Sequence, residues 1–191
     1  MTRTFIALEL SESLQRFLDG IIHRMAQELP GLRWVDPVGI HLTLAFLGEL
    51  TDEQLALAIE ATEKAAQQAT AFSYGLSHLG IFGSPRQPRV VWAGIDEPSG
   101  KLQHLHRVLN RELEQRGFET DTRPFSPHFT LSRIKAPLSA DDQQRLQRLL
   151  KEIRVSVSPS TYHVDQVSVM KSELSRSGAK YTCLQEYPLK G

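Results

Sequence analysis

The chain has 191 residues, 40% of them apolar, with 22 basic and 22 acidic side chains and a single cysteine. That length supports one substantial core or two small fused lobes, and the balanced charge excludes a whole-molecule field that draws in nucleic acid, so any anion must be held by local arrangement. The lone Cys183 excludes an intramolecular disulfide and suits a reducing compartment. The apolar run at 5–8 is too short for a secretory signal or a membrane span, so a cytoplasmic protein without membrane association is expected.

In chain order, residues 3–10 read as a strand. Ser11 is an N-cap candidate for a helix to about residue 29, with Leu14, Phe17, Leu18, Ile21, Ile22 and Met25 at helical spacing. Pro30 and Gly31 end it, residues 32–35 read as a short strand, and a strand opening at His41 closes at Gly48. Thr51 caps a second helix to about residue 68. Strands at 72–82 and 89–95 flank a proline-containing loop at 83–88 that carries Arg86, with Arg89 at its end. A third helix opens at Ser99 or Gly100 and shows Leu102, Leu105, Leu109 and Leu113 on one face. An irregular stretch at 120–125 carries Arg123 and leads to a strand at His128. Ser139 caps a fourth helix, and strands are expected at 162–170 and 179–187.

Two strands share a pattern, His41-Leu42-Thr43-Leu44 and His128-Phe129-Thr130-Leu131, and the histidines lie 87 positions apart. The same shift carries Ser11 to Pro98-Ser99, Asp52 to Ser139 and Gly75 to Tyr162, so one order of elements recurs although side-chain identity hardly does. This is duplication of architecture. The expected fold is α+β: two lobes related by an approximate two-fold, repeating over about 11–97 and 98–187 within one domain at 1–191. Two antiparallel sheets would line a central groove, with helices outside. Residues 96–100 are the one candidate boundary.

Alternation along a strand puts each His and Thr on one face and the intervening apolar residues on the core face. Imidazole titrates near neutrality, so one histidine can serve as base while the other serves as acid. In-line displacement at phosphorus needs a proton removed on one side and delivered on the other. The threonine hydroxyls can donate to the non-bridging oxygens. The sequence has no Gly-rich phosphate loop, no HExxH and no cysteine cluster, and two histidines are too few for a typical zinc site. A reaction without metal or cofactor on a reactive ester such as a cyclic phosphodiester is expected.

The doubled His-x-Thr motif resembles that of the two-histidine (2H) phosphoesterase superfamily, and within it the RNA 2′,3′-cyclic phosphodiesterase (LigT-like, "2′–5′ RNA ligase") family. Phe5-Ile6-Ala7-Leu8, Ala45-Phe46-Leu47-Gly48, Val90-Val91-Trp92-Ala93-Gly94, Ser132-Arg133 and Ser172-Glu173-Leu174 with Gly178 and Tyr181 extend the resemblance over nearly the whole chain. Ala179 stands where the family often has proline. The resemblance implies that His41 and His128 are catalytic, with His128 positioning water and His41 protonating the departing 3′ oxygen to leave a 2′-phosphate. It also implies that Thr43 and Thr130 hold phosphate oxygens and that Arg133 adds positive charge. The residues themselves leave the direction of proton transfer open. Strict alternation puts Arg133 on the face opposite His128, so it reaches the phosphate only if the strand twists, bulges or ends by Ser132. Phe46 is its counterpart in the first half, for packing or for stacking on a base.

RNA termini or nucleoside 2′,3′-cyclic phosphates are the expected partners, bound by a monomer. Arg86 and Arg89 are candidate RNA contacts, with Arg123, Lys171 and Arg176 weaker ones. Trp34 and Trp92 read as core residues, Cys183 as a small core residue, and His23, His78, His104, His106 and His163 show no partner pattern. Joining a cyclic phosphate to a 5′-hydroxyl in 2′–5′ linkage is an alternative for the same site, and a nucleotide- or RNA-binding module without turnover is another.

Overall fold

The computed structural model describes residues 1–155, 161–175 and 178–191; Arg176 lies outside them. The chain runs β1 (Thr2–Glu9), α1 (Glu12–Glu28), β2 (His41–Leu50), α2 (Asp52–Ala66), β3 (Phe72–Ser84), β4 (Gln87–Asp96), α3 (Lys101–Glu114), β5 (His128–Arg133), α4 (Ala140–Glu152), β6 (Tyr162–Val164), β7 (Gln166–Ser175) and β8 (Gly178–Pro188). A 3-10 turn at Pro37–Gly39 precedes β2.

Three helix starts follow the side chains that the sequence offers. The Ser11 hydroxyl accepts from the Leu14 amide, Thr51 and Gln54 form a reciprocal capping box, and the Ser139 hydroxyl accepts from the Asp142 amide. The start of α3 differs. Gly100 takes a left-handed conformation (φ 77°) and offers no side-chain cap, while the Glu97 carboxylate accepts from the amides of Ser99 and Leu102. Helix α1 buries Leu14, Leu18, Ile21, Ile22 and Met25, each worth about 1.5–3 kcal/mol of hydrophobic stabilisation.

The strands form two antiparallel four-stranded sheets, ordered β2-β1-β7-β8 and β5-β4-β3-β6. The two sheets are equivalent position by position: β2 matches β5, β1 matches β4 and β7 matches β3. The sheets are therefore not the contiguous segments 11–97 and 98–187. Strand β4 opens the second architectural repeat as β1 opens the first, and β3 and β7 each cross into the other sheet. The expected strand at 162–170 is broken at Asp165 for this reason: β6 pairs with β3 and β7 with β1.

Two smaller expectations are corrected. The loop at 83–88 is a tight hairpin turn at 85–86, with β3 and β4 running up to it. Residues 32–35 form no strand and make a single bridge, Trp34 to Ser132, along the free edge of β5. A buried cluster continuous through both sheets and all four helices takes Ile6, Leu8, Leu42, Val91, Ala93, Phe129 and Leu131 from the strands. On the other face of the first sheet, Phe5, Ala7 and Met170 form a second cluster with Tyr181 and Cys183.

Candidate active site

Strands β2 and β5 are edge strands of their two sheets, and their Cα atoms come within 8 Å of one another. Each begins at its histidine. The register pairs His41 with Glu9 and Thr43 with Ala7, and it pairs His128 with Gly94 and Thr130 with Trp92. Paired residues share a face, so each histidine and threonine stand together while Leu42, Leu44, Phe129 and Leu131 are buried.

The two imidazoles are held in the same way. His41 Nδ1 donates to the Gly39 carbonyl at 2.9 Å, and His128 Nδ1 donates to the Ser126 carbonyl at 2.7 Å. A carbonyl only accepts, so Nδ1 carries the proton in both rings and Nε2 is left as the atom that exchanges one. Aromatic rings fix each orientation. His41 packs on Phe5 (centroids 4.5 Å apart) and edge-on to Tyr181 (4.8 Å), while His128 stands edge-on to Phe82 (4.8 Å) and 6.4 Å from Trp92.

Burial pushes the His41 imidazole below its ordinary value; the Gly39 hydrogen bond opposes this, the Arg133 charge adds to it, and Glu9 opposes it. Burial likewise lowers His128, against the Ser126 hydrogen bond and with the help of Arg133. One guanidinium thus acts on both rings, and both shifts favour the neutral imidazole.

Arg133 reaches this face through a bulge. Val91 pairs with Ser132 and Trp92 with Thr130, which leaves Leu131 as an extra residue and reverses the alternation beyond it. Arg133, opposite Val90, therefore shares the face of Trp92 and Thr130. The segment before β2 clamps this irregularity from the other side. The Val35 amide donates to the Leu131 carbonyl at 2.9 Å, and the Ser132 hydroxyl donates to the Arg33 carbonyl at 2.9 Å. The first half repeats the device: Ile6 pairs with Ala45 and Ala7 with Thr43, so Leu44 is extra and Phe46 returns to the His41 face. Leu44 and Leu131 are themselves 87 positions apart. Phe46 is 55% exposed, with the Arg3 guanidinium 4.8 Å from its ring centre.

The other candidates are placed elsewhere. Arg86 lies in the β3–β4 turn and lines a cavity of about 570 Å³ with Pro85 and α4 residues Gln143, Gln147, Arg148 and Lys151; neither histidine lines it. Arg89 is exposed, and its carbonyl accepts from the Ile134 amide. Arg123 is paired with Asp121, and Lys171 with Glu173. Trp34 packs against the main core, whereas Trp92 is half-buried outside both clusters, with its Nε1 buried and without a hydrogen-bond partner among the described residues. Cys183 is half-buried beside Phe5, Ala7 and Met170. Among the described residues, Glu9, Cys183 and Glu186 bring donor atoms within 4.8 Å of one another, but burial and the two carboxylates push the thiol up to about 11, which disfavours the thiolate a metal needs. No described helix is long and apolar enough to cross a membrane.

Several parts of this arrangement are absent from the sequence reading: the carbonyl anchors, the paired bulges, the ring neighbours Phe5, Phe82 and Trp92, and the stack of Phe125 on His106 (3.8 Å, interplanar 6°) beneath the loop that supplies Ser126. The equal spacing from each histidine to Phe46 and Arg133 was the one available signal for the bulges.

Residues 10–176 match the family model described as the 2′-5′ RNA ligase superfamily. A curated protein of Aquifex aeolicus, named RNA 2′,3′-cyclic phosphodiesterase, is 29% identical over 192 residues, covering 100% of this chain and 99% of its own. A crystal structure of TT0787 from Thermus thermophilus superposes with a TM-score of 0.80 at 27% identity, covering 99% of this chain and 98% of that one. Escherichia coli LigT complexed with 3′-AMP gives 0.77 at 27% identity, with 100% and 99% covered. With a family match over most of its length, two motifs in equivalent strands and a fold shared end to end with these structures, the chain belongs to the 2′-5′ RNA ligase superfamily.

Proposed function

We infer that this protein hydrolyses RNA or nucleoside 2′,3′-cyclic phosphate ends to 2′-phosphates, with His41 and His128 as the acid–base pair. The observation that carries this reading is the matched anchoring of the two imidazoles, each with Nδ1 committed to a carbonyl, under the charge of one shared arginine. Neutral His128 takes a proton from water through Nε2 as the water oxygen attacks phosphorus. The P–O3′ bond breaks in line, and His41 Nε2–H delivers a proton to the departing 3′ oxygen. The acid must be protonated although the free site favours neutral rings. The anionic phosphate supplies the difference, since it offsets Arg133 and raises the imidazole it touches. Thr43 and Thr130 donate to the non-bridging oxygens.

The names of the curated relatives and the 3′-AMP complex of LigT support a nucleotide substrate. The chain acts as one domain and as a monomer in the cytoplasm on this reading, with no metal or cofactor. Its single cysteine suits a reducing compartment.

Incubation with a nucleoside 2′,3′-cyclic phosphate, followed by ³¹P NMR of the product, tests the assignment. A 2′-monophosphate is expected. A 3′-monophosphate would reverse the geometry at phosphorus, and no turnover would refute the reading. Adding an RNA with a 5′-hydroxyl reports joining through the same site, since a sugar hydroxyl then replaces water.

A further inference from the structure

We propose that the indole of Trp92 is the platform on which the base of the nucleotide carrying the cyclic phosphate stacks; this rests on the reading above. Trp92 pairs with Thr130 and so stands on the histidine face, half-buried and outside both hydrophobic clusters. Its ring lies on the sheet because a glycine stands opposite it. A Cβ on Gly80, its partner on β3, would sit 2.3 Å from Trp92 Cζ2 and 2.5 Å from Cη2, while one on Gly94 would meet Ser77 Oγ at 2.4 Å and Trp92 Cζ3 at 3.1 Å. One face of the indole therefore covers the Gly80 backbone, and its Nε1 is buried without a hydrogen-bond partner among the described residues although the residue as a whole is half-buried. A strand that places a glycine opposite a large flat ring gives up side-chain packing there, and Gly80 does so for Trp92 alone.

The surroundings extend the surface. Phe82, 36% exposed, lies 5.5 Å from the indole at 38°, and His78 closes the far side edge-on at 5.2 Å. The indole centre is 6.4 Å from the His128 ring, within the reach of one ribose between a phosphate at the histidines and its base. A sheet face with exposed aromatics beside a phosphate site is how single-stranded RNA ends are read by stacking, with little dependence on net charge. That matches a chain whose formal charge is zero.

The test compares a nucleoside 2′,3′-cyclic phosphate with its abasic analogue, 1,4-anhydroribitol 2,3-cyclic phosphate. In Trp92→Leu the preference for the base-bearing substrate in kcat/KM should shrink by about 10-fold or more, mainly through KM. Trp92→Tyr, which keeps a ring, should restore part of it. Gly80→Ala, which displaces the indole, should act in the direction of the leucine variant. A preference unchanged in Trp92→Leu overturns the proposal. Independently of turnover, adenosine 3′-monophosphate should quench Trp92 fluorescence in Trp34→Phe protein, where Trp92 is the remaining tryptophan, and the abasic phosphate should not. Absence of that quenching also overturns it. Quenching without hydrolysis would retain the platform and refute the assigned reaction.

Discussion

Replacing Arg133 by Met removes the one cation among the described residues whose charge falls on both imidazoles. Two effects follow, and they have separate readouts. The first is loss of the phosphate contact proposed for it. A hydrogen bond to a charged group contributes about 1.5–3 kcal/mol, and each 1.36 kcal/mol is a factor of ten, so kcat/KM should fall about 10- to 150-fold. Arg133 is exposed, which favours the lower part of that range. The second effect is on titration. Arg133 holds both histidines down, so its removal raises them, and the base then becomes neutral only at higher pH. The acid limb of the pH dependence of kcat/KM should move upward. Arg133→Lys keeps the charge but loses the planar fork, so it should lose affinity while leaving that limb in place. A limb that stays put in Arg133→Met, or moves downward, would refute the electrostatic argument whatever happens to the rate.

Further outcomes follow from the same geometry. His41→Ala and His128→Ala should each lower kcat by about 10² to 10⁴, and the double variant should lose less than the product of the two, as measured by single-turnover hydrolysis. Hydrolysis should proceed undiminished after dialysis against EDTA; activity restored only by an added metal would contradict the assigned chemistry. Both histidines are depressed in the folded state, so they contribute stability above the unfolded value near 6.5 that is lost as pH falls through the folded values. Thermal unfolding should therefore show a drop in midpoint below about pH 6.5 that is smaller in a His41→Asn, His128→Asn variant. Thr51→Ala removes one arm of the capping box of α2 and should cost about 1 kcal/mol in denaturant unfolding without altering kcat.

How much of this was legible in the sequence depends on the range of each interaction. Helix starts at Ser11, Thr51 and Ser139 are local events, written in a side chain three residues from the amide it caps. The two motifs were legible because a duplicated plan leaves a fixed spacing. Sheet membership was not. The pairing of β7 with β1, and the break at Asp165 that sends β6 to the other sheet, join residues far apart in the chain, and either pairing satisfies the same apolar alternation. Arg133 shows the same limit on a smaller scale. Alternation sends it to the wrong face, and the bulge at Leu131 that corrects this is held by backbone groups of residues 33 and 35, which no side-chain pattern announces. Trp92 escapes the sequence pattern because an apolar strand residue is ordinarily core. What sets it apart is the missing side chain at Gly80, twelve residues earlier and across the hairpin.

The central claim is that both Nε2 atoms act on one phosphorus, and ¹⁵N NMR of the histidine-labelled protein titrated with a nucleoside vanadate, a mimic of five-coordinate phosphorus, tests it most directly. The Nε2 resonances of His41 and His128 should both shift at the same stoichiometry, while Nδ1 of each keeps the signature of a protonated nitrogen. A shift confined to one histidine, or protons found on Nε2 of the free protein with Nδ1 bare, would contradict the account.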